Sequence, residues 1–169
     1  MIDAPRVILV PFTKAHVDLT FRWVRDAEFQ RLFLMLGEPT WEKHKAHFVK
    51  VLNDGTQRVY AVLCENRHVG NGGIKNIATG QEEGELWVYL GDSSVRGKGI
   101  GKYATGLLIR EAFEDLKLRS VYVHVAKFNE YALKMYTGLG FTQFAGRAIP
   151  EEWRDRQQEI VRMRLQRAL

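Results

Sequence analysis

The sequence predicts a mixed α/β fold in one domain over residues 1–169, with a central sheet of about seven strands flanked by about four helices. Three observations predict it. The 169-residue chain is the size of one domain, since typical domains run about 100–150 residues. Short β-rich runs alternate along it with amphipathic stretches. No linker, internal repeat or low-complexity tract divides it.

The elements follow in order. RVILV (6–10) reads as a strand stopped by Pro11. Thr13 caps a helix running to about Asp26, with Val17, Leu19, Phe21, Trp23 and Val24 as its apolar surface. Thr40 caps a second helix, and Asn53-Asp54-Gly55 is a strong stop signal. Two β-rich runs, 57–64 and 68–77, flank Glu65-Asn66-Arg67 as a hairpin connection. GELWVYLG (84–91) alternates Leu86, Val88 and Leu90 against Glu85, Trp87 and Tyr89. Both of its faces are largely apolar, so it belongs inside a sheet covered on both sides. A third helix follows, with Ile100, Ala104, Leu107 and Leu108 at helical spacing. SVYVHVA (120–126) is a strand, and NEYALKMYTGLG a short helix with Asn129 as N-cap and a glycine exit. FTQFAG (141–146) and EIVRMRL (159–165) close the chain as two strands.

Composition narrows the function. Apolar residues at 46% and charged residues at 27% are ordinary for a globular chain. Cys64 stands alone, which precludes an internal disulfide and suits a reducing compartment. The opening MIDAPRVILVPF lacks the basic lead and apolar core of a signal peptide. No apolar run approaches the length a membrane helix needs, so the expectation is a cytoplasmic protein without a membrane partner. The net charge of +5 favours anionic ligands in general, but the cations are scattered. Even segment 147–167 interleaves six arginines with Glu151, Glu152, Asp155 and Glu159. Nucleic-acid binding wants a continuous basic stripe, so none is expected.

The stretch VRGKGIG (95–101) places three glycines and two cations in seven positions. A Walker loop is excluded, because Tyr103 follows Gly101-Lys102 and position 96 is Arg. A dinucleotide fingerprint fits Gly99 to Ala104, yet the next strand ends Ala126-Lys127 where that motif needs an acidic residue. Two readings are left. In one, small residues between strand and helix leave several N–H groups open at a helix N-terminus, with Arg96, Lys98 and Lys102 adding charge, a cradle for a diphosphate. In the other, the heptapeptide is a plain flexible turn with solvated cations.

Arg96-Gly97-Lys98-Gly99-Ile100-Gly101 matches the [QR]-x-x-G-x-[GA] signature of the GNAT superfamily of acetyl-CoA-dependent N-acetyltransferases. Asn129, Ala132, Met135-Tyr136 and Gly138-Leu139-Gly140-Phe141 resemble the second signature, N-x-x-A-x-x-x-Y-x-x-x-G-F. Both motifs stand in the family's order and separation, and the resemblance covers nearly the whole chain.

The resemblance implies a GNAT fold whose splayed strands form a cleft for acetyl-CoA. It assigns Arg96, Gly97, Lys98, Gly99, Ile100 and Gly101 to the pyrophosphate, mostly through backbone N–H groups. The strand before them, around Tyr89, Leu90 and Gly91, would pair its backbone with the pantetheine arm, and the strand at 120–126 would diverge from it. Asn129 would serve the cofactor while capping its helix. Tyr136 would donate a proton to the departing thiolate, as a phenol still protonated at pH 7 can; by the residues alone it is equally a core tyrosine on a stripe with Ala132, Met135 and Leu139. An attacking amine must lose a proton, and Glu85, opening the strand beside the slot, is the chosen base. Glu82, Glu83 or a water stay open as alternatives, and His124 reads as a packed strand histidine or a proton relay. His44 and His47 stand at i, i+3 without a third ligand in register, so they read as exposed helix histidines and no metal is expected.

The acceptor is less constrained. Segments 21–41 and 147–156 interleave Phe21, Trp23, Phe29, Phe33, Trp41 and Trp153 with Arg22, Arg25, Arg31, Arg147, Arg154 and Arg156. Rings that stack on a sugar and guanidinium groups that bind a diphosphate would suit a small-molecule amine such as a UDP- or dTDP-linked amino sugar. The alternative arrangement puts the rings in the core and the arginines on the surface. FRWVRDAEFQ, GNGGIKNI and ELWVYLG also resemble bacterial acetyltransferases of amino sugars or of ribosomal-protein N-termini. A protein N-terminal α-amine is therefore the second acceptor, and a module that binds acetyl-CoA without turnover is the non-enzymatic reading. Nothing in the sequence sets the oligomeric state.

Overall fold

In the computed structural model, residues 5–77, 82–146, 151, 154–155 and 159–168 are described. Strands β1 (Val7–Pro11), β2 (Arg58–Cys64), β3 (Arg67–Lys75), β4 (Glu83–Leu90), β5 (Ser120–Ala126), β6 (Thr142–Gln143) and β7 (Ile160–Gln166) form one sheet. Its order is β1-β2-β3-β4-β5-β7-β6. The first four strands are antiparallel, β4 and β5 are parallel, and β5, β7 and β6 are antiparallel again.

Local chemistry accounts for most boundaries. Pro11 does not stop β1 but ends it, paired with Tyr60; β1 is an edge strand, where a missing N–H costs no ladder bond. Glu65 and Asn66 take φ of 49° and 62°, the paired left-handed conformation of a two-residue hairpin turn, so Arg67 already belongs to β3. The expected helix from Thr13 to about Asp26 is a 3₁₀ turn (14–16) followed by α1 (Val17–Val24), and a further helix, α2 (Ala27–Leu32), lies beyond it. The break comes at Asp26, whose carboxylate accepts the Phe29 N–H at 2.9 Å and starts a new helix. Among the described residues the sheet is accompanied by five α-helices. α3 (Trp41–Leu52) starts where Thr40 accepts the Lys43 N–H and stops at Asn53. α4 (Ile100–Arg110) runs on into a π-helical turn (111–115), where Tyr60 donates to Glu111. α5 (Glu130–Gly138) is capped by Asn129, which accepts the Ala132 N–H at 3.1 Å. The expected strand at 141–146 contracts to Thr142–Gln143.

β4 sits mid-sheet and is covered on both faces, as its two apolar faces require. Leu86, Val88 and Leu90 join the cores beneath α4, with Ile74, Ile100, Ala104 and Leu108. Each fully buried side chain of this kind contributes about 1.5–3 kcal/mol. On the other face Tyr89 meets Trp23, Phe29 and Phe33 from α1, α2 and the turn after it. The feature that makes the site is where pairing ends. β4 and β5 pair only at Glu83↔Ser120, Gly84↔Val121 and Glu85↔Tyr122. Beyond Glu85 they part, while β4 stays bonded to β3 as far as Leu90. A V-shaped opening results, with Glu85 at its apex.

Among the described residues, no helix is long and apolar enough to cross a membrane.

Candidate active site

Two hollows open on this V. The first, of about 370 Å³, runs between β4 and β5 past the loop before α4, lined by Val88, Tyr89, Leu90, Arg96, Gly97, Gly101, Asn129 and Tyr136 among others. The second, of about 510 Å³, lies on the helical face, bounded by α1, α2 and α3 and floored by Glu85, Trp87 and Tyr89. They share Phe29, Phe33, Val88, Tyr89, His124 and Tyr136. A group in one hollow can therefore meet a group in the other at His124 and Tyr136.

The loop before α4 answers what the glycines are for. Gly97 and Gly99 have φ of 74° and 78°, a left-handed conformation strained for any residue with a Cβ. Gly99 caps α4, and its carbonyl accepts the first helical hydrogen bond, from Tyr103 at 3.0 Å. The N–H groups of Ile100, Gly101 and Lys102 precede that bond, so they end the helix as a cluster of donors with the positive end of its dipole. Gly101 lines the first hollow, while the Ile100 side chain turns into the core. Lys98 and Lys102 are exposed beside them. Left-handed glycines, a ring of amide donors and flanking cations fit the diphosphate of a coenzyme.

Three residues expected at the cofactor also hold contacts within the protein. Gly91 is not among the lining residues; a Cβ there would lie 1.8 Å from the Trp23 indole, so its smallness serves packing. Arg96 is engaged already, Nε donating to the Leu90 carbonyl and Nη1 pairing with Glu28, each at 3.2 Å. Asn129 spends its carbonyl on the α5 cap and keeps its amide N–H₂ toward the hollow it lines.

At the apex, Glu85 is 3% exposed and fully engaged. One oxygen takes His124 Nδ1 at 3.1 Å and Lys75 Nζ at 3.2 Å, and the other takes Asn76 Nδ2 at 3.0 Å. Asn76 also donates to Tyr122 at 3.1 Å. Lys75 and Tyr122 are the strand partners of Glu85 on either side, so the sheet register itself assembles the cluster. Burial alone would raise the Glu85 pKa; the His124 hydrogen bond and the Lys75 charge outweigh it and hold the carboxyl below its ordinary value. An ionised carboxylate only accepts, so His124 Nδ1 carries the proton and the other ring nitrogen is the basic one. Tyr136 is 5% exposed, packed edge-on against Phe141. Burial, with the Glu85 charge adding to it, pushes its phenol well above the usual range, so it stays protonated.

Of the other carboxylates, Glu83 accepts Ser120 Oγ at 2.8 Å and Glu82 pairs with Arg119 at 2.8 Å; neither lines a hollow. His44 is not exposed as expected: it is buried at 8%, and its Nε2 meets the Val17 carbonyl at 3.1 Å, tying α3 to α1. His47 lies exposed at the rim of the second hollow. Among the described residues no cluster of His, Cys, Asp and Glu could hold a metal ion.

The aromatic and arginine pattern divides. Phe29 and Phe33 line both hollows, whereas Arg22, Arg25 and Arg31 face solvent, Arg25 over Phe21 and Arg31 over Phe128. Arg154 pairs with Glu151 on the surface. Arg147, Trp153 and Arg156 lie outside the described residues. Lys75, Asn76 and Tyr122 carry no motif, and sequence reasoning missed them. They are brought together by the register of β3 against β4 and of β4 against β5, which the turn at 65–66, joining β2 to β3, does not set.

Comparison with known proteins completes the description. Residues 6–142 match the acetyltransferase (GNAT) domain family. An N-acetyltransferase 9-like protein of Caenorhabditis briggsae is 29% identical over 155 residues, covering 83% of this chain and 76% of that one. The human alpha/beta-tubulin-N-acetyltransferase 9 is 26% identical, covering 87% and 77%. Acetyltransferase PseH of Campylobacter jejuni is 26% identical over 127 residues, covering 75% and 77%. In fold, the chain is similar to Vibrio cholerae spermidine N-acetyltransferase in complex with CoA and spermine, with a TM-score of 0.82 at 17% identity over 95% of each chain. It also superposes on Campylobacter jejuni PseH in complex with acetyl coenzyme A, with a TM-score of 0.69 at 19% identity over 96% and 100%.

Proposed function

The chain belongs to the GNAT acetyltransferase family and is an acetyl-CoA-dependent N-acetyltransferase; we propose that its acceptor is the primary amine of a small molecule, a nucleotide-linked amino sugar. The observation that carries this reading is the second hollow, a separate space of about 510 Å³ that meets the cofactor cleft only at shared walls. Trp87, Phe29, Phe33 and Tyr89 offer ring faces to a pyranose, and Lys43, His47 and Gln57 line it with polar groups. A polyamine needs acidic lining. Here the carboxylates are Glu38 and Glu85, and Glu85 is neutralised by Lys75. The exposed arginines leave the nucleotide to the lysines and to the outer surface.

Bound acetyl-CoA supplies a thioester whose carbonyl carbon takes the amine nitrogen and whose sulfur leaves. The cradle from Arg96 to Gly101 holds the diphosphate, the free edge of β4 from Val88 to Leu90 aligns the pantetheine arm, and Asn129 adds its amide. His124 takes the proton the amine must lose, and Glu85 steadies the resulting imidazolium. Glu85 thus works through His124, because its own partners keep it a weak base. Tyr136, held neutral, gives its O–H proton to the departing sulfur and recovers it from solvent.

A second acceptor is favoured by one observation: two relatives named alpha/beta-tubulin-N-acetyltransferase 9, of Homo sapiens and Mus musculus, align over 87% and 86% of the chain. A protein amino group is that reading. A thiol-release assay with acetyl-CoA decides between them, run against UDP- and dTDP-amino sugars, polyamines, aminoglycosides and N-terminal peptides. Turnover confined to the sugar nucleotides is expected. Turnover confined to the peptides would replace the first acceptor with the second.

A further inference from the structure

Glu28 is an oddity in a cleft meant for phosphates. It stands in the first turn of α2, and its side chain lines the same hollow as Arg96, Gly97 and Gly101. A carboxylate there repels a diphosphate unless a cation neutralises it, and the cation is Arg96, at 3.2 Å from Nη1 to Glu28 Oε2. The Arg96 guanidinium is aimed by a second contact, Nε to the Leu90 carbonyl at 3.2 Å, at the end of β4. Arg96 therefore keeps a fixed plane while Nη1 is committed to a partner that is 58% exposed and free to leave. A phosphate offers that guanidinium a better match, with paired acceptor oxygens in the fork geometry.

We infer that Glu28 is a determinant of cofactor affinity: it holds Arg96 in the free enzyme and yields it to the cofactor's diphosphate on binding. This rests on the reading of Arg96 to Gly101 as the phosphate cradle. Binding then carries the cost of breaking one ion pair, and the pair lowers affinity rather than adding to it.

The test is calorimetric titration of coenzyme A, which needs no turnover, into the wild type, Glu28→Gln, Arg96→Gln and the double variant. Glu28→Gln is expected to tighten binding about three- to fivefold at low salt, the scale of an exposed ion pair. The gain should fade as ionic strength rises. Arg96→Gln should weaken binding, and adding Glu28→Gln to it should restore little. Melting curves of the free variants verify that each is folded; both side chains are partly exposed, so neither change empties the core. Unchanged or weaker binding by Glu28→Gln overturns the inference, as does an equal gain with Arg96 absent, which would make Glu28 a simple repulsive charge. Unchanged affinity in Arg96→Gln also overturns the inference, because the guanidinium then makes no contact with the diphosphate; if coenzyme A fails to bind the wild type, or Gly97→Ala leaves its affinity unchanged, the cradle reading has failed instead.

Discussion

The cofactor cleft and the acceptor cavity share six wall residues, yet they are made of different materials. At its phosphate end the cleft is main chain from one short stretch, the two left-handed glycines and the first amides of α4, next to the free edge of β4. The cavity is lined from many places, α1, α2, the turn after it, α3, β3, β4 and β5 among them. Backbone donors bind any diphosphate of the right shape, so a short motif can specify them. Side chains from distant elements define a particular amine, and they change without disturbing the strands that carry them. The difference teaches where reaction class and substrate choice reside.

Perturbing the shared wall should have the largest effect. Tyr136→Phe keeps the ring and loses the proton, so kcat should fall by about 10²–10⁴-fold while coenzyme A affinity holds. Steady-state kinetics beside calorimetry checks it; unchanged kcat would remove Tyr136 from the acid role. Glu85→Gln should cost about 10²-fold in kcat/KM, because an amide cannot steady the His124 cation. If His124→Gln lowers turnover as far and the double variant no further, the two act as one unit.

Two glycines separate the materials more finely. Gly97→Ala puts a Cβ at φ 74° with nothing within 4 Å. It should weaken coenzyme A about tenfold through the 1–2 kcal/mol cost of that conformation, with a small change in Tm. Gly91→Ala should do the reverse. Its Cβ would collide with Trp23, so stability should drop by about 1–3 kcal/mol, with cofactor affinity little altered in the folded fraction. Thermal melts and titrations on both variants would expose a wrong assignment of either glycine.

The smallest effect is on pH dependence. The Glu85 carboxyl is depressed on balance by His124 and Lys75. Its contribution to stability is therefore fully present above its unfolded pKa and lost as pH falls through the lower folded one, and its contribution to kcat/KM is lost as pH falls through the folded one. Lys75→Met removes the cation but not the burial, so the acid limb of the pH–rate profile should move to higher pH. A limb that stays in place would mean that Glu85 is not the group being titrated.

Much of the architecture was readable before any coordinates. Turn chemistry at 65–66, caps at Thr40 and Asn129, and the two-faced apolar pattern of β4 are local signals, and each acts where it stands. α2 escaped because six residues are too few to carry a helical pattern, and Asp26 reads as the end of one helix rather than the cap of the next. Helical spacing makes His44 an exposed residue, because it does not say that α1 presents the Val17 carbonyl to it.

The sequence by itself determined the α/β order, the family and the glycine loop whose φ requirements leave backbone amides open at the start of α4. These depend on propensities and φ requirements within a few residues. Only the tertiary structure decided that Lys75, Asn76, Glu85, Tyr122 and His124 become one cluster, that Gly91 serves Trp23, and that Glu28 guards Arg96. Such contacts join residues from 6 to 68 positions apart, and their energy exists only once strand register and helix packing have brought the groups within reach of one another.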